Sequence, residues 1–167
     1  MSDIFRDGAF QPDTRPILAD DAAVGAGAVF VSKARFLAER AALRPRGADV
    51  GVVLEPGDRL DDLAEDLAWI GALAVDFPKF GDGRGYSLAR LARDRYGFTG
   101  EIRAIGDILL DQVEALLRVG FDTLVITHAP TRARLAAGLV PNLAVRYQPV
   151  GVDGETAVPG RPWVFRR

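Results

Sequence analysis

The stretch Leu73-Ala74-Val75-Asp76-Phe77-Pro78-Lys79-Phe80-Gly81-Asp82-Gly83-Arg84-Gly85-Tyr86-Ser87 decides how the rest of the sequence is read. An apolar, β-rich run ends at Phe77, and three glycines follow at every second position. From about Ser87 the residues Leu88, Leu91, Ala92 and Tyr96 recur at helical spacing. A strand, a glycine loop and a helix in that order form the first part of a βαβ unit. Glycine at Gly81, Gly83 and Gly85 would permit positive φ and let successive amides converge on an anion, with Lys79 and Arg84 adding positive charge. The helix that follows would add its unpaired first-turn N–H groups, with Ser87 as a cap. The spacing matches neither G-x-G-x-x-G nor G-x-x-x-x-G-K-[ST], so it carries no nucleotide fingerprint. A plain tight turn is the competing reading, with Asp82 bonding its own backbone or pairing with Arg84.

The same rhythm extends in both directions. Ile4-Phe5-Arg6 and Ala9-Phe10-Gln11 flank Asp7-Gly8, which predicts a small N-terminal hairpin. Residues 12–27 read as a connection. Val29-Phe30-Val31 predicts a strand, followed by a helix capped by Ser32 that carries Phe36, Leu37, Ala41 and Leu43 and ends at Pro45 and Gly47. Val50 to Leu54 predicts another strand. Asp58 is placed to cap a helix with Leu60, Leu63, Ala64, Leu67 and Ile70 inward and Asp61, Asp62, Glu65 and Asp66 on a solvated face. Further strands are expected at Ile102–Ile105 and Leu124–Thr127, and helices over Asp111–Val119 and from Thr131 to Ala137. Leu143 to Tyr147 reads as a last strand, and residues 151–167 as a tail docked through Trp163, Val164 and Phe165.

Strands alternating with helices predict one α/β domain over residues 1–167, built on a mostly parallel sheet of repeated βα units. An open doubly wound sheet is preferred to a partial (β/α) barrel, which a second subunit could complete as a homodimer.

A formal net charge of −2 gives no basic excess for a phosphodiester backbone, so no nucleic-acid partner is expected. With no cysteine and one histidine, thiolate chemistry, disulfides and Cys-based metal sites are excluded, and no metal is expected. The start of the chain carries Asp3, Arg6 and Asp7 where a signal peptide needs an apolar core, and the run from Leu67 to Val75 is too short to cross a bilayer. A cytoplasmic protein with no membrane association is expected.

In a parallel sheet the loops after the strands gather on one edge. That places Glu55, the Lys79–Gly85 loop, Asp107 and His128 together. The constellation could hold a small oxyanion on Lys79, Gly81, Asp82, Gly83, Arg84, Gly85 and Ser87, with Asp107 or His128 as the catalytic acid–base group. Helix capping is the competing role for Asp107. Between Lys79 and Arg103 six basic residues face three acidic ones, and Arg90, Arg93 and Arg95 form either a partner-docking surface or a plain soluble face.

Phe77 to Ser87, with Ala89-Arg90, Arg95-Tyr96-Gly97-Phe98, Gly100-Glu101, Arg103-Ala104, Gly106-Asp107, Asp111-Gln112 and Gly120-Phe121-Asp122, resembles the DUF934 proteins, a bacterial family of unknown biochemical function. The likeness is close from Phe77 to Asp122 and looser from Val50. Members are described as probable oxidoreductases involved in sulfite reduction, because they are encoded beside the enzymes of sulfate and sulfite assimilation. The resemblance implies a pathway rather than a reaction, and it supplies no catalytic residues. A catalytic sulfite reductase subunit holds sirohaem and an iron–sulfur cluster through cysteines, which this sequence lacks, so an accessory role is implied. Such a protein would dock to the reductase or a neighbouring sulfate-assimilation enzyme, or bind its oxyanion. The alternatives are a free-standing enzyme acting on a small phosphorylated or sulfonated metabolite, and a structural subunit without ligand. The cofactor is unknown.

Overall fold

The computed structural model describes residues 3–79 and 81–141. The expected last strand over 143–147 and the docked tail lie outside them. Strands β1 (Asp3–Arg6) and β2 (Ala9–Pro12) form the N-terminal hairpin. Asp7 and Gly8 have φ of 51° and 81°, the two positive angles that a type I′ turn requires. Beyond the hairpin come β3 (Val29–Ser32), α1 (Lys33–Leu43), β4 (Val50–Leu54), β5 (Ala72–Phe77), α2 (Arg84–Asp94), β6 (Glu101–Gly106), α3 (Leu110–Arg118), β7 (Thr123–Leu124) and α4 (Ala129–Ala136). Ser32 caps α1 as expected, its hydroxyl accepting the Arg35 amide at 3.1 Å. No helix among the described residues is long and apolar enough to cross a membrane.

Among the described residues, seven strands form one open sheet in the order β2-β1-β7-β6-β5-β4-β3, parallel from β3 to β7 and not closed into a barrel. The parallel strands lie side by side in chain order, so the winding never reverses. Right-handed crossovers then put every helix on the same face. The side chains show it: Leu73, Val75 and Phe77 of β5 share one core with Phe36 of α1, Ala89 of α2, Val113 of α3 and Leu135 of α4. The intervening Ala72 and Ala74 point the other way, to a smaller cluster with Phe30. Among the described residues, helices therefore cover one face only.

Part of the other face is met by the start of the connection after the hairpin. Arg103 of β6 is 2% exposed. Its guanidinium donates to Asp13 Oδ1 at 2.9 Å, Glu101 Oε1 at 3.0 Å and the Arg15 carbonyl at 3.0 Å, and it lies 4.7 Å from the centroid of Phe30. Residues 16–18 then track the outer edge of β3, with the Phe30 amide donating to Pro16 O and the Leu18 amide to Phe30 O. The stretch read as a featureless connection is thus tied to the helix-free face at Asp13 and Arg15 and continues as an added edge beside β3.

The region after β4 departs from the expected helix. Only Leu60–Leu63 forms a 3₁₀ turn, and the bonds beyond it mix i→i−3 (Asp66 to Leu63, Trp69 to Asp66) with i→i−4 (Leu67 to Leu63, Ile70 to Asp66). The pairs Asp61/Glu65 and Asp62/Asp66 would set like charges four residues apart on a regular helix, which weakens it. The apolar expectation still holds, since Leu60, Leu63, Leu67 and Ile70 are all buried. Asp66 is not on a solvated face: it is buried, 3.0 Å from the Arg40 guanidinium, and accepts from Trp69 Nε1 at 3.2 Å. Nor does Asp58 cap a helix; its carboxylate accepts the Glu55 amide at 2.7 Å and closes the turn after β4.

Replacing Arg103 by Met leaves the Asp13 and Glu101 carboxylates without their most buried partner. Breaking a buried pair from one side costs about 3 kcal/mol, and urea unfolding of Arg103→Met at neutral pH should show a loss of that size.

Candidate functional site

The glycine loop is built differently from the expected anion cradle. None of Gly81, Gly83 and Gly85 has positive φ; Gly83 is the N-cap of α2 at φ −81° and ψ −3°, and Gly85 is already helical. The loop turns instead through an Asp82 amide to Lys79 carbonyl bond of 3.0 Å. Gly85 is needed for packing, because a β-carbon there would sit 2.5 Å from Phe77 Cζ and 3.0 Å from Val75 Cγ1. The missing side chain lets the first turn of α2 rest directly on β5. Since α2 begins at Arg84, Ser87 lies inside the helix and caps nothing.

Asp82 occupies the place foreseen for a ligand. Its Oδ1 accepts from the Arg84 amide at 3.2 Å and from Arg84 Nε at 2.9 Å, and its Oδ2 accepts from Arg84 Nη2 at 2.7 Å. The Arg84 side-chain bonds, helped by the Arg84 amide, hold the Asp82 carboxyl down at about 2. The helix N-terminus and its cation are thus neutralised by the chain itself. Arg84 Nη1 takes no part in that fork and lies over the Gly57 turn, 3.6 Å from where a Gly57 β-carbon would be. Lys79 is exposed and forms no ion pair among the described residues.

The three arginines of α2 separate by role. Arg93 is half-buried and ties four places together: Nη1 donates to the carbonyls of Phe98 (2.6 Å) and Gly100 (2.8 Å), Nε and Nη2 to that of Gly120, and Nη2 to Asp122 at 2.6 Å. These bonds make it a structural latch. Arg90 is exposed and paired within its own helix to Asp94. Arg95 is exposed, 3.9 Å from Asp61 and over the Tyr96 ring.

At the carboxyl edge, Asp107 is exposed, and its amide donates to Phe77 O at 2.7 Å, so it sits beside the start of the glycine loop. It does not cap α3. The N-cap position is Leu109, whose amide donates to the Gln112 side chain at 2.9 Å. His128 is the N-cap of α4, its Nδ1 lying 2.8 Å from Thr131 Oγ1 and accepting the Thr131 amide at 3.4 Å, which leaves Nε2 uncommitted among the described residues. Asp107 and His128 thus follow adjacent parallel strands, and each has a structural engagement of its own.

Sequence reasoning passed over Asp76. The register pairs Leu54 with Val75, so Asp76 and Glu55 occupy the next step of the two adjacent strands, on the helix-free face. Burial, together with the charge of Glu55, raises the Asp76 carboxyl above its ordinary range. The available signal was one acidic residue in the apolar run Leu73 to Phe77, at a position alternating with the inward Leu73, Val75 and Phe77. Beside Glu55 opens a cleft of about 400 Å³ lined by Ser32, Lys33, Val53, Asp58 and Asp62 among others. In it Lys33 Nζ bonds Asp58 at 3.0 Å and Asp62 at 2.7 Å, a pairing that raises Lys33 despite its burial and keeps it a cation. Among the described residues, no three His, Asp or Glu side chains are gathered as a metal site.

Fold and edge together define an open-sheet α/β protein with its helices on one face and its polar loops at the carboxyl ends of the strands. A family model described as a bacterial protein of unknown function (DUF934) matches residues 51–158, more than half of the chain, and the chain belongs to that family. No curated protein and no solved structure matches it.

The two exposed-looking arginines of the sequence should differ sharply on substitution. Arg93→Ala strands three carbonyls and Asp122 and should cost about 2–3 kcal/mol in urea unfolding, whereas Arg90→Ala should stay within about 0.5 kcal/mol. Asp76 is also open to test through pH. A carboxyl raised on folding opposes stability once it ionises, so Asp76→Asn should raise the melting temperature at neutral pH. The gain should shrink as the pH falls through the native pKa and Asp76 becomes protonated.

Proposed function

We propose that this protein is a cytoplasmic accessory protein of assimilatory sulfite reduction, acting by docking to the reductase rather than by capturing its oxyanion. The observation that carries the choice is the fork between Asp82 and Arg84. A doubly charged anion at the start of α2 would have to displace a carboxylate already bound by two side-chain bonds and one amide. The cations left for a partner are exposed Lys79, Arg90 and Arg95, on the loop and outer face of α2. Arg90 and Arg95 have solvated carboxylate neighbours that a partner's acidic groups can replace at little cost.

A free-standing enzyme acting on a small phosphorylated or sulfonated metabolite is the second reading. It is favoured by Asp76, a half-buried carboxyl raised above its ordinary range by burial and the charge of Glu55, with Asp107 and His128 on the same edge of the sheet. Under this reading Arg84 Nη1 and Lys79 would meet the anionic group.

Size-exclusion chromatography of the full chain mixed with purified sulfite reductase tests the first reading. Co-elution is expected, and it should be lost in the folded double variant Arg90→Glu/Arg95→Glu. Separate elution of the unaltered proteins overturns docking. In the same preparations, a melting-temperature rise with sulfite, sulfate or phosphate that disappears in Arg84→Ala would favour the enzyme instead.

A further inference from the structure

The first turns of α3 and α4 flank a cleft of about 420 Å³ beside the carboxyl edge of the sheet. Its volume is that of a small-molecule site, and this edge is where open α/β sheets take their ligands. Leu109, Leu110, Pro130 and Pro141 give it apolar walls. Its polar groups are divided by helix. Asp111, in the first turn of α3, supplies a carboxylate, while α4 and its cap supply His128, Thr131 and Arg134 at three-residue spacing. Thr131 is 2% exposed; its amide donates to His128 Nδ1 at 3.4 Å, and its Oγ1 lies 2.8 Å from the same nitrogen. A ring nitrogen that accepts from an amide carries no proton, so the neutral imidazole holds its proton on Nε2, as a donor. The cleft therefore presents N–H groups of His128 and Arg134 from α4 and the Asp111 carboxylate from α3. Asp111 and Arg134 are exposed, and neither forms an ion pair among the described residues.

This lining discriminates between ligand classes. An inorganic oxyanion would use the donors but leave the apolar walls empty and meet Asp111 as a like charge. A carboxylic acid with a hydrocarbon tail would fill the walls and reach the donors, yet give Asp111 nothing to bind. A ligand that carries both charges and an apolar body answers all three parts of the lining. We propose that the α3–α4 cleft is a binding site for a free α-amino acid with an apolar side chain. Its carboxylate accepts from His128 Nε2 and the Arg134 guanidinium, its ammonium group donates to Asp111, and its side chain lies against Leu109, Leu110 and Pro130. The site is independent of docking through Arg90 and Arg95, and no bond is made or broken in it.

Calorimetric titration of the full chain at neutral pH with L-leucine, L-methionine and L-phenylalanine tests the site. At least one should bind saturably. Its deaminated and decarboxylated analogues, which for L-leucine are 4-methylpentanoate and 3-methylbutylamine, should bind at least about tenfold more weakly for want of one charged contact. Asp111→Asn should weaken the amino acid by about tenfold without weakening the deaminated analogue, whereas Arg134→Gln should weaken both. Both positions are exposed, so the variants keep the fold. As a separate readout, the ring proton resonances of the single histidine should shift and saturate with the same amino acid. No binding of any of the three at millimolar concentration overturns the proposal. So do a deaminated analogue that binds as tightly as its parent, affinity untouched by both substitutions, and histidine resonances that stay in place on titration.

Discussion

Five parallel strands laid down in chain order leave the crossovers no choice of side, because each right-handed return must cross the same face of the sheet. This one-sidedness determines how each face of the sheet is kept from water. The helix face carries a single large core, and the other face would be left wet along Phe30, Ala72 and Ala74 unless something else covered it. Asp13 and Arg15, just after the hairpin, supply part of that cover. Arg103 holds it there, its charge satisfied by Asp13 and Glu101 and its guanidinium lying over the Phe30 ring. An arginine suits this position because its rigid fork serves several acceptors while its flat face meets a ring. The N-terminal hairpin extends the same logic, since β1 runs antiparallel to β7 through Phe5 and Leu124 and closes that flank of the parallel sheet.

Much of this was legible in the sequence because the signals are local. Asp7-Gly8 dictates its turn, Ser32 its cap, and the apolar runs their strands. The order of the strands was not legible, and so neither was the one-sided helix layer: periodicity says which residues are buried, not which strand lies beside which. The glycine loop shows the other limit. Gly85 carries the same letter whether it supplies a positive φ or merely a missing β-carbon, and only the proximity of Phe77 decides for the latter. Arg93 likewise sits among outward positions of α2, yet it reaches the carbonyls of Gly100 and Gly120 because the chain returns beneath it at two later turns. Asp76 was hidden for the opposite reason. It reads as an interruption in a strand, and its neighbour Glu55 comes from a strand about twenty residues earlier.

The distribution of charge at the carboxyl ends of the strands bears directly on what can bind there. Glu55, Asp58, Asp62, Asp76, Asp82 and Asp107 gather on that side, against Lys33, Lys79 and Arg84. Lys33 is held by Asp58 and Asp62, and Arg84 by Asp82. Lys79 is the one cation of the three without an ion pair among the described residues. A small oxyanion approaching this edge meets a field that is negative overall, with its best donors already spent on internal carboxylates. The outer face of α2 is different: Arg90 and Arg95 stand in water, where their carboxylate partners can be exchanged with little loss. Positive charge that can be shared with another molecule thus lies mainly on the flank of the sheet, with Lys79 the exception at its mouth. A protein surface bearing acidic groups would find complementary charge at Arg90 and Arg95, whereas an anion at the mouth would meet Lys79 together with the internally paired Lys33 and Arg84 among more numerous carboxylates.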